Sequence, residues 1–277
     1  VNPYRPGDVF RLAVTTGMMQ VARANDYEVL NIGGKNIETC MQRGVQYVQE
    51  CRIDGMVVFQ EAPTLLEDPQ HRDIPLVYIW FQPEKARPVV TLDPAPGIRE
   101  AVRHLAELGH RDILWLGMSS NGEMELPERL NVYRESCREL GLETRELALP
   151  NRNHQAGENS VNQFHEMLAV RPEIPDGCTA VMCFNDRMAL ALEIVLAARG
   201  LRVSEDVSIV GFDDLHAEHG APPLTTISHE LEAMGARATE TVLDMIDDPD
   251  RCAELSDSVL TVDSGLVIRR STGPVSF

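Results

Sequence analysis

Ala180-Val181-Met182-Cys183-Phe184 is an apolar run that stops at Asn185-Asp186. Residues 187–199 follow with Met188, Ala189, Leu192, Val195 and Leu196 on one face at helical spacing, and Gly200 supplies the stop. A second apolar run, Val207-Ser208-Ile209-Val210-Gly211-Phe212, halts at Asp213-Asp214. The order is strand, helix, strand, and each strand ends in short polar side chains. Ligands of parallel sheets gather at the carboxyl ends of the strands. The spacing therefore predicts Asn185 and Asp213 side by side on the rim of one crevice. Pro222-Pro223-Leu224-Thr225-Thr226-Ile227 then makes a rigid turn into another short extended segment.

The same alternation runs outward in both directions. Upstream, residues 10–25 predict a helix, Tyr27–Ile32 a short strand, 38–52 a second helix, and Met56–Phe59 and Leu76–Trp80 two more strands. Val89–Asp93 is a further extended run, broken by Pro94-Ala95-Pro96-Gly97. Residues 98–108 then read as an amphipathic helix capped by Gly109, with strand 111–117, helix 128–140, strand 146–149, a polar loop at 151–155 and a helix at 158–170 behind it. After Ile227, a helix is expected over 231–246, stopped by Asp247-Asp248-Pro249-Asp250. A hairpin-like pair, 259–262 and 265–269, is expected about Asp263-Ser264. The result is two successive α/β halves, roughly 1–93 and 94–228. Opening on a helix is unusual for such a unit, so its first strand is expected upstream of Val1.

Composition narrows the function classes. The 277 residues carry 43 acidic against 25 basic side chains, a net charge of −18. Binding nucleic-acid phosphates needs a basic face, so this segment is not expected to contact DNA itself. No apolar run approaches the ~18 residues of a membrane helix. The six cysteines show no tight pairing, which suits reduced thiols in a cytoplasmic protein. Neither a CxxC nor an HExxH spacing occurs, so no metal is expected. Without a GxSxG elbow or a phosphate-cradling glycine loop, catalysis has little support and no cofactor is implied.

Several segments together resemble the effector-binding region of the lactose-repressor (LacI/GalR) family of transcription regulators. They are His104-Leu105 with Leu108-Gly109-His110-Arg111, Asn185-Asp186 with Met188-Ala189, the run from Gly200 through Asp213-Asp214, Pro222 to Ile227, Met234 to Ala238, and Leu266 to Arg269. The match is weak before residue 53 and strong after 104. The resemblance implies two doubly wound α/β parallel-sheet subdomains with three crossovers, of the periplasmic-binding-protein type I kind. Residues 1–92 with 229–250 would form the first subdomain and 93–228 with 251–277 the second. It further implies a small effector between them, a homodimer, and operator DNA bound through a headpiece that this chain does not contain.

Eight residues are candidates for the effector site. Asp213 can accept from vicinal hydroxyls or an amine, or can cap the following turn. Asn185 can donate and accept, or can form an Asx turn; Asp186 is the expected helix cap. Arg129 stands where the family pattern has an arginine four residues before an aromatic, here Tyr133, and offers a fork of donors; Val132 departs from the family's usual glycine. Asp93 closes a strand at the first crossover. Tyr4 and Trp80 could stack on a sugar ring or a base. Gln60 ends an apolar strand, and His154 lies in the polar loop. His110 and Arg269-Arg270 are expected to be structural and superficial, respectively. A hydroxyl-rich effector, a sugar or sugar derivative, suits these groups, with a nucleobase as the rival. The competing function is a periplasmic sugar-binding receptor.

Overall fold

The computed structural model describes residues 9–33, 37–59, 74–80, 87–120, 123–124, 126–150 and 167–275. The chain divides into two compact units, Val1–Asp93 with Glu230–Val262, and Pro94–His229 with Asp263–Phe277. It therefore passes between them three times.

The first unit holds a four-stranded sheet. Strand β1 (Met56–Val58) pairs parallel with β2 (Leu76–Ile79), β2 pairs parallel with β3 (Val89–Asp93), and β10 (Val259–Asp263) lies beside β3. Helices α1 (Val9–Ala24), α2 (Ile37–Gln49) and α6 (Leu231–Asp247) belong to it. Helices α1 and α6 touch backbone to backbone at Gly17 and Gly235. A Cβ on Gly17 would run into the carbonyl of Glu232, and one on Gly235 into that of Val14. Two glycines thus set how closely these helices pack.

Two expectations fail in this unit. Tyr27–Ile32 forms no strand. A cavity of about 910 Å³, lined by this segment and by residues 53–59, separates it from β1, so it stands beyond the ~4.8 Å at which strands pair. The expected terminal hairpin is also absent. The third passage falls after Val262 rather than at 250, because β10 joins β3 of the first sheet while β11 (Gly265–Val267) pairs antiparallel with β9 of the second. The chain at Asp263-Ser264 is a passage between sheets, and buried Ser264 Oγ accepts from Gly97 N at 3.0 Å. Residues 250–254, expected only as a stop, form the short helix α7 (Asp250–Glu254).

The second unit is built on seven strands. Its sheet runs β11-β9-β8-β7-β4-β5, with β6 (Glu143–Pro150) also pairing β4 (Asp112–Ser120). β6, β4, β7 (Ala180–Cys183), β8 (Ser208–Asp213) and β9 (Thr225–Ser228) are mutually parallel, and β5 (Glu123–Met124) is antiparallel to β4. Helices α3 (Ala95–Glu107), α4 (Pro127–Glu139) and α5 (Asp186–Ala197) flank it. Strand β7 is buried at all four positions and β8 at five of six, as a sheet covered on both faces requires. Leu114, Leu116, Val181, Leu192 and Ile209 form the centre of one core cluster. The tail straps this sheet: Ser271 Oγ donates to Ile209 O at 2.6 Å and accepts from Thr225 N at 2.8 Å. His110 is structural, its ring nitrogens 2.8 Å from Thr179 Oγ1 and 3.0 Å from Ser208 Oγ.

Candidate functional site

Because five strands of the second unit run parallel, their carboxyl ends share one rim. β7 delivers Phe184, Asn185 and Asp186 there. β8 delivers Phe212, Asp213 and Asp214. β9 delivers Ser228 and His229, and the register sets Asp213 opposite Ser228.

Asn185, not Asp186, is the cap of α5. Its backbone is extended (φ −156°, ψ 172°) and its side-chain oxygen accepts from Met188 N at 2.9 Å. The oxygen a hydroxyl ligand would use is therefore engaged in the helix start. Asp186 turns inward instead. One carboxylate oxygen accepts from Thr226 Oγ1 at 2.5 Å, and the other from Leu215 N at 3.0 Å. Gly211 leaves room for it, since a Cβ there would meet the same carboxylate. Burial pushes Asp186 up to about 6, against the pull of these hydrogen bonds. Asp186 thus ties the loop after β8 to the head of α5.

Asp213 ends β8 at φ +114° and Asp214 follows at φ +55°. Neither conformation suits an L side chain, and such strain persists only where surroundings over-determine it. Here Asp214 pairs with Arg269 at 2.7 Å, and Arg269 is itself anchored on Leu224 O at 3.0 Å. Arg269 is therefore a brace of the rim rather than superficial charge.

Arg129 lies in the first turn of α4, entered through Leu126 at φ +50° and Pro127. It is only 5% exposed. Its guanidinium carbon sits 3.8 Å from the centroid of the Phe212 ring, and the Phe184 ring is 5.9 Å away. A cation on an aromatic face is held by the ring quadrupole. Its hydrogen bonds are long: 3.5 Å to Phe184 O and 3.4 Å to His229 Nε2. Burial lowers its pKa, with Asp213 and then Glu128 opposing.

His229 completes the cluster. It is 4% exposed, its ring lies edge-on to Phe212 at 5.2 Å, and Nε2 stands 3.3 Å from Asp213 Oδ1. Burial, then the charge of Arg129, pushes it down to about 3. The ring is neutral at neutral pH, so its contact with Asp213 is not an ion pair. Asp213 is pushed up to about 8, first by burial and then by Asp186, with Arg129 and Arg187 opposing. The arrangement offers a fork of donors, a carboxyl acceptor and two aromatic faces. It suits a polar ring compound with neighbouring donor and acceptor groups. Among the described residues no group of three His, Cys, Asp or Glu side chains could hold a metal.

The structure thus brings Asp213 and Arg129 together through His229, with Asn185 beside them in a capping role. Trp80 and Asp93 belong to the first unit, at the carboxyl ends of β2 and β3; Trp80 has φ +77° and meets Phe10 edge-on at 5.7 Å. Tyr4, Gln60 and His154 lie outside the described residues. The sequence reading missed Phe184, Phe212 and His229. Both phenylalanines directly precede polar strand ends that were singled out, and His229 is the first residue beyond β9, so the same strand-end rule reaches all three.

Comparisons with known proteins agree with this architecture. Residues 102–272 match the family model described as periplasmic binding protein-like domain. The chain is 30% identical over 216 residues to the HTH-type transcriptional repressor PurR of Vibrio atlanticus, covering 74% of this chain and 61% of the relative. It thus spans about six tenths of the length of such relatives. A solved Rhizobium etli protein described as a LacI-family transcriptional regulator superposes with a TM-score of 0.74 at 26% identity, over 95% of this chain and 94% of the other. The CelR–cellobiose complex superposes with a TM-score of 0.65 at 26% identity, over 95% and 79%. The chain belongs to the periplasmic binding protein-like domain family, in the form carried by LacI-family transcriptional regulators.

Proposed function

We propose that this chain is the effector-binding core of a DNA-binding transcription regulator, and that its effector is a small polar ring compound, a sugar or sugar derivative. The observation that carries this reading is the rim cluster: a buried arginine on Phe212 facing a carboxyl, with one histidine within reach of both. Family membership supports the regulatory role, and the cellobiose bound by CelR supports a sugar over a base. Operator contact is assigned to a headpiece of a longer protein, since the charge of −18 disfavours phosphate binding by this region. A cytoplasmic homodimer without catalytic activity fits the same role. No described helix is long and apolar enough to cross a membrane.

A ligand changes operator affinity only if it binds the two functional states unequally, and the coupling is reciprocal. Asp213 and Arg129 are the groups whose contacts would differ. The test is calorimetric titration with cellobiose, ribose, arabinose, hypoxanthine and guanine. Asp213→Ala removes at least one hydrogen bond to a charged group and lowers affinity roughly 100-fold, with the circular dichroism spectrum unchanged. A variant that binds as the wild type does would overturn the assignment. Tight binding of a purine and of no sugar would transfer the proposal to a nucleobase effector.

A further inference from the structure

Arg129 and Asp213 carry opposite charges in one pocket, yet among the described residues no ion pair joins them directly. What lies within reach of both is a single atom. Nε2 of His229 is 3.4 Å from Arg129 Nη2 and 3.3 Å from Asp213 Oδ1. A neutral imidazole nitrogen is either a donor or an acceptor, never both. With its lone pair free, Nε2 accepts from the guanidinium and has nothing to give the carboxyl. Carrying a hydrogen, it serves the carboxyl and turns an N–H toward the guanidinium. One charged group is always left over.

We propose that His229 is a specificity-determining residue of the effector site: its tautomer decides which of Arg129 and Asp213 is bonded within the protein and which is left for the ligand. In the structure the hydrogen bond runs from Arg129 to Nε2, so Asp213 is the group held open. A ligand that brings an adjacent donor and acceptor, as a vicinal diol does, takes both. Its donor goes to Asp213, its acceptor draws Arg129 off Nε2, and the ring passes to the Nε2–H tautomer against the carboxyl. A ligand with only a donor, or only an acceptor, satisfies one group and leaves the other buried without a partner, which is the unfavourable outcome for a desolvated charge. His229 thus filters for paired groups. The depressed basicity of the ring fits the role, because a protonated ring could not accept from Arg129 in either state.

The inference rests on the effector reading above, and its primary test needs no effector. In the chain labelled with 15N-histidine, long-range proton–nitrogen spectra report whether each ring nitrogen is protonated, and His229 is assigned by the signal that His229→Gln removes. The expected result at pH 7 is an unprotonated Nε2 that becomes protonated in Arg129→Met. An Nε2 that is protonated in the wild type, or that stays unprotonated in folded Arg129→Met, overturns the proposal. If Arg129→Met does not fold, Arg129→Lys serves, because its ammonium is not held flat on Phe212 and the same change is expected. The second arm is titration with cellobiose. The amide of His229→Gln can accept from Arg129 and donate to Asp213 at once, so the ligand must displace both bonds and affinity falls about tenfold or more. Unchanged affinity in that variant overturns the filter. If the wild type binds none of the sugars or bases, the effector assignment fails, while the nitrogen spectra still decide the tautomer.

Discussion

The two α/β units follow one plan with different endings. In the second, seven strands close round a continuous core, and polar or charged side chains occupy the rim at their carboxyl ends. Arg129, Asp186 and His229 are all nearly inaccessible there. In the first, four strands leave β1 at an edge, beside a cavity of about 910 Å³ walled by Met18, Ile32, Met41, Met56, Val58 and Val242. The cavity is roomy and its named walls are apolar. The rim is crowded and charged, and its Asp and His are both driven far from their ordinary pKa values. Converging polar groups with perturbed protonation mark a functional site better than volume does. The cavity instead marks where a sheet edge and a neighbouring chain segment fail to meet.

The largest difference expected between the units is in the energetics of truncation. Leu116, fully packed in the second unit, should cost about 3–5 kcal/mol when changed to Ala, whereas Met18→Ala, which enlarges an existing cavity, should cost about 1–2 kcal/mol. Urea denaturation of both variants measures this, and equal losses would mean that the first unit is as tightly packed as the second.

Next comes Gly17→Ala. The added methyl must push α1 off the Glu232 carbonyl, and overpacking of this kind costs about 1–3 kcal/mol. The loss should appear in the first unit alone. Amide exchange protection should fall in α1 and α6 while α5 and β8 keep theirs. Deprotection of the second unit as well would show that the two fold as one cooperative body.

The smallest effect is the pH dependence of the rim. Asp213, at about 8, keeps in the folded chain a proton that the unfolded chain has lost, so stability falls as pH rises from the ordinary carboxylate range to about 8. Asp186 adds the same slope up to about 6. His229 acts in the opposite sense. Its folded value of about 3 lies below the ordinary one, so its contribution rises with pH between about 3 and 6.5. Above about pH 6.5 only Asp213 still titrates. Asp213→Asn should therefore flatten a slope of up to about 1 kcal/mol per pH unit between pH 6.5 and 8. An unchanged slope in that variant would show that Asp213 is not the titrating group.

Much of this was legible in the residues. Apolar runs stopped by Asn185-Asp186 and Asp213-Asp214, with Met188, Ala189 and Leu192 in helical register between them, leave few topologies besides a parallel sheet. Asp213 and Arg129 were reachable by the strand-end rule and by resemblance. The division of labour at Asn185-Asp186 was not. Both residues are good caps, and Asp186 turns inward only because Gly211 and Thr226, some 25 and 40 positions away, make a pocket for it. Sequence also could not separate the terminal strands. Residues 259–263 and 265–267 look like one hairpin, but local pattern does not say which sheet has a free edge, and each strand took a different one. Tyr27–Ile32 has the composition of a strand and no partner at pairing distance.

The sequence by itself determined the periodicities, the caps at Gly109 and Gly200, and the polar residues at each strand end, because these depend on neighbours within a few positions. Only the tertiary structure decided that His229 stands between Arg129 and Asp213. That geometry joins residues 129, 213 and 229 through three separate elements, and the burial that makes the ring neutral and the carboxyl hard to ionise exists only once those elements have packed.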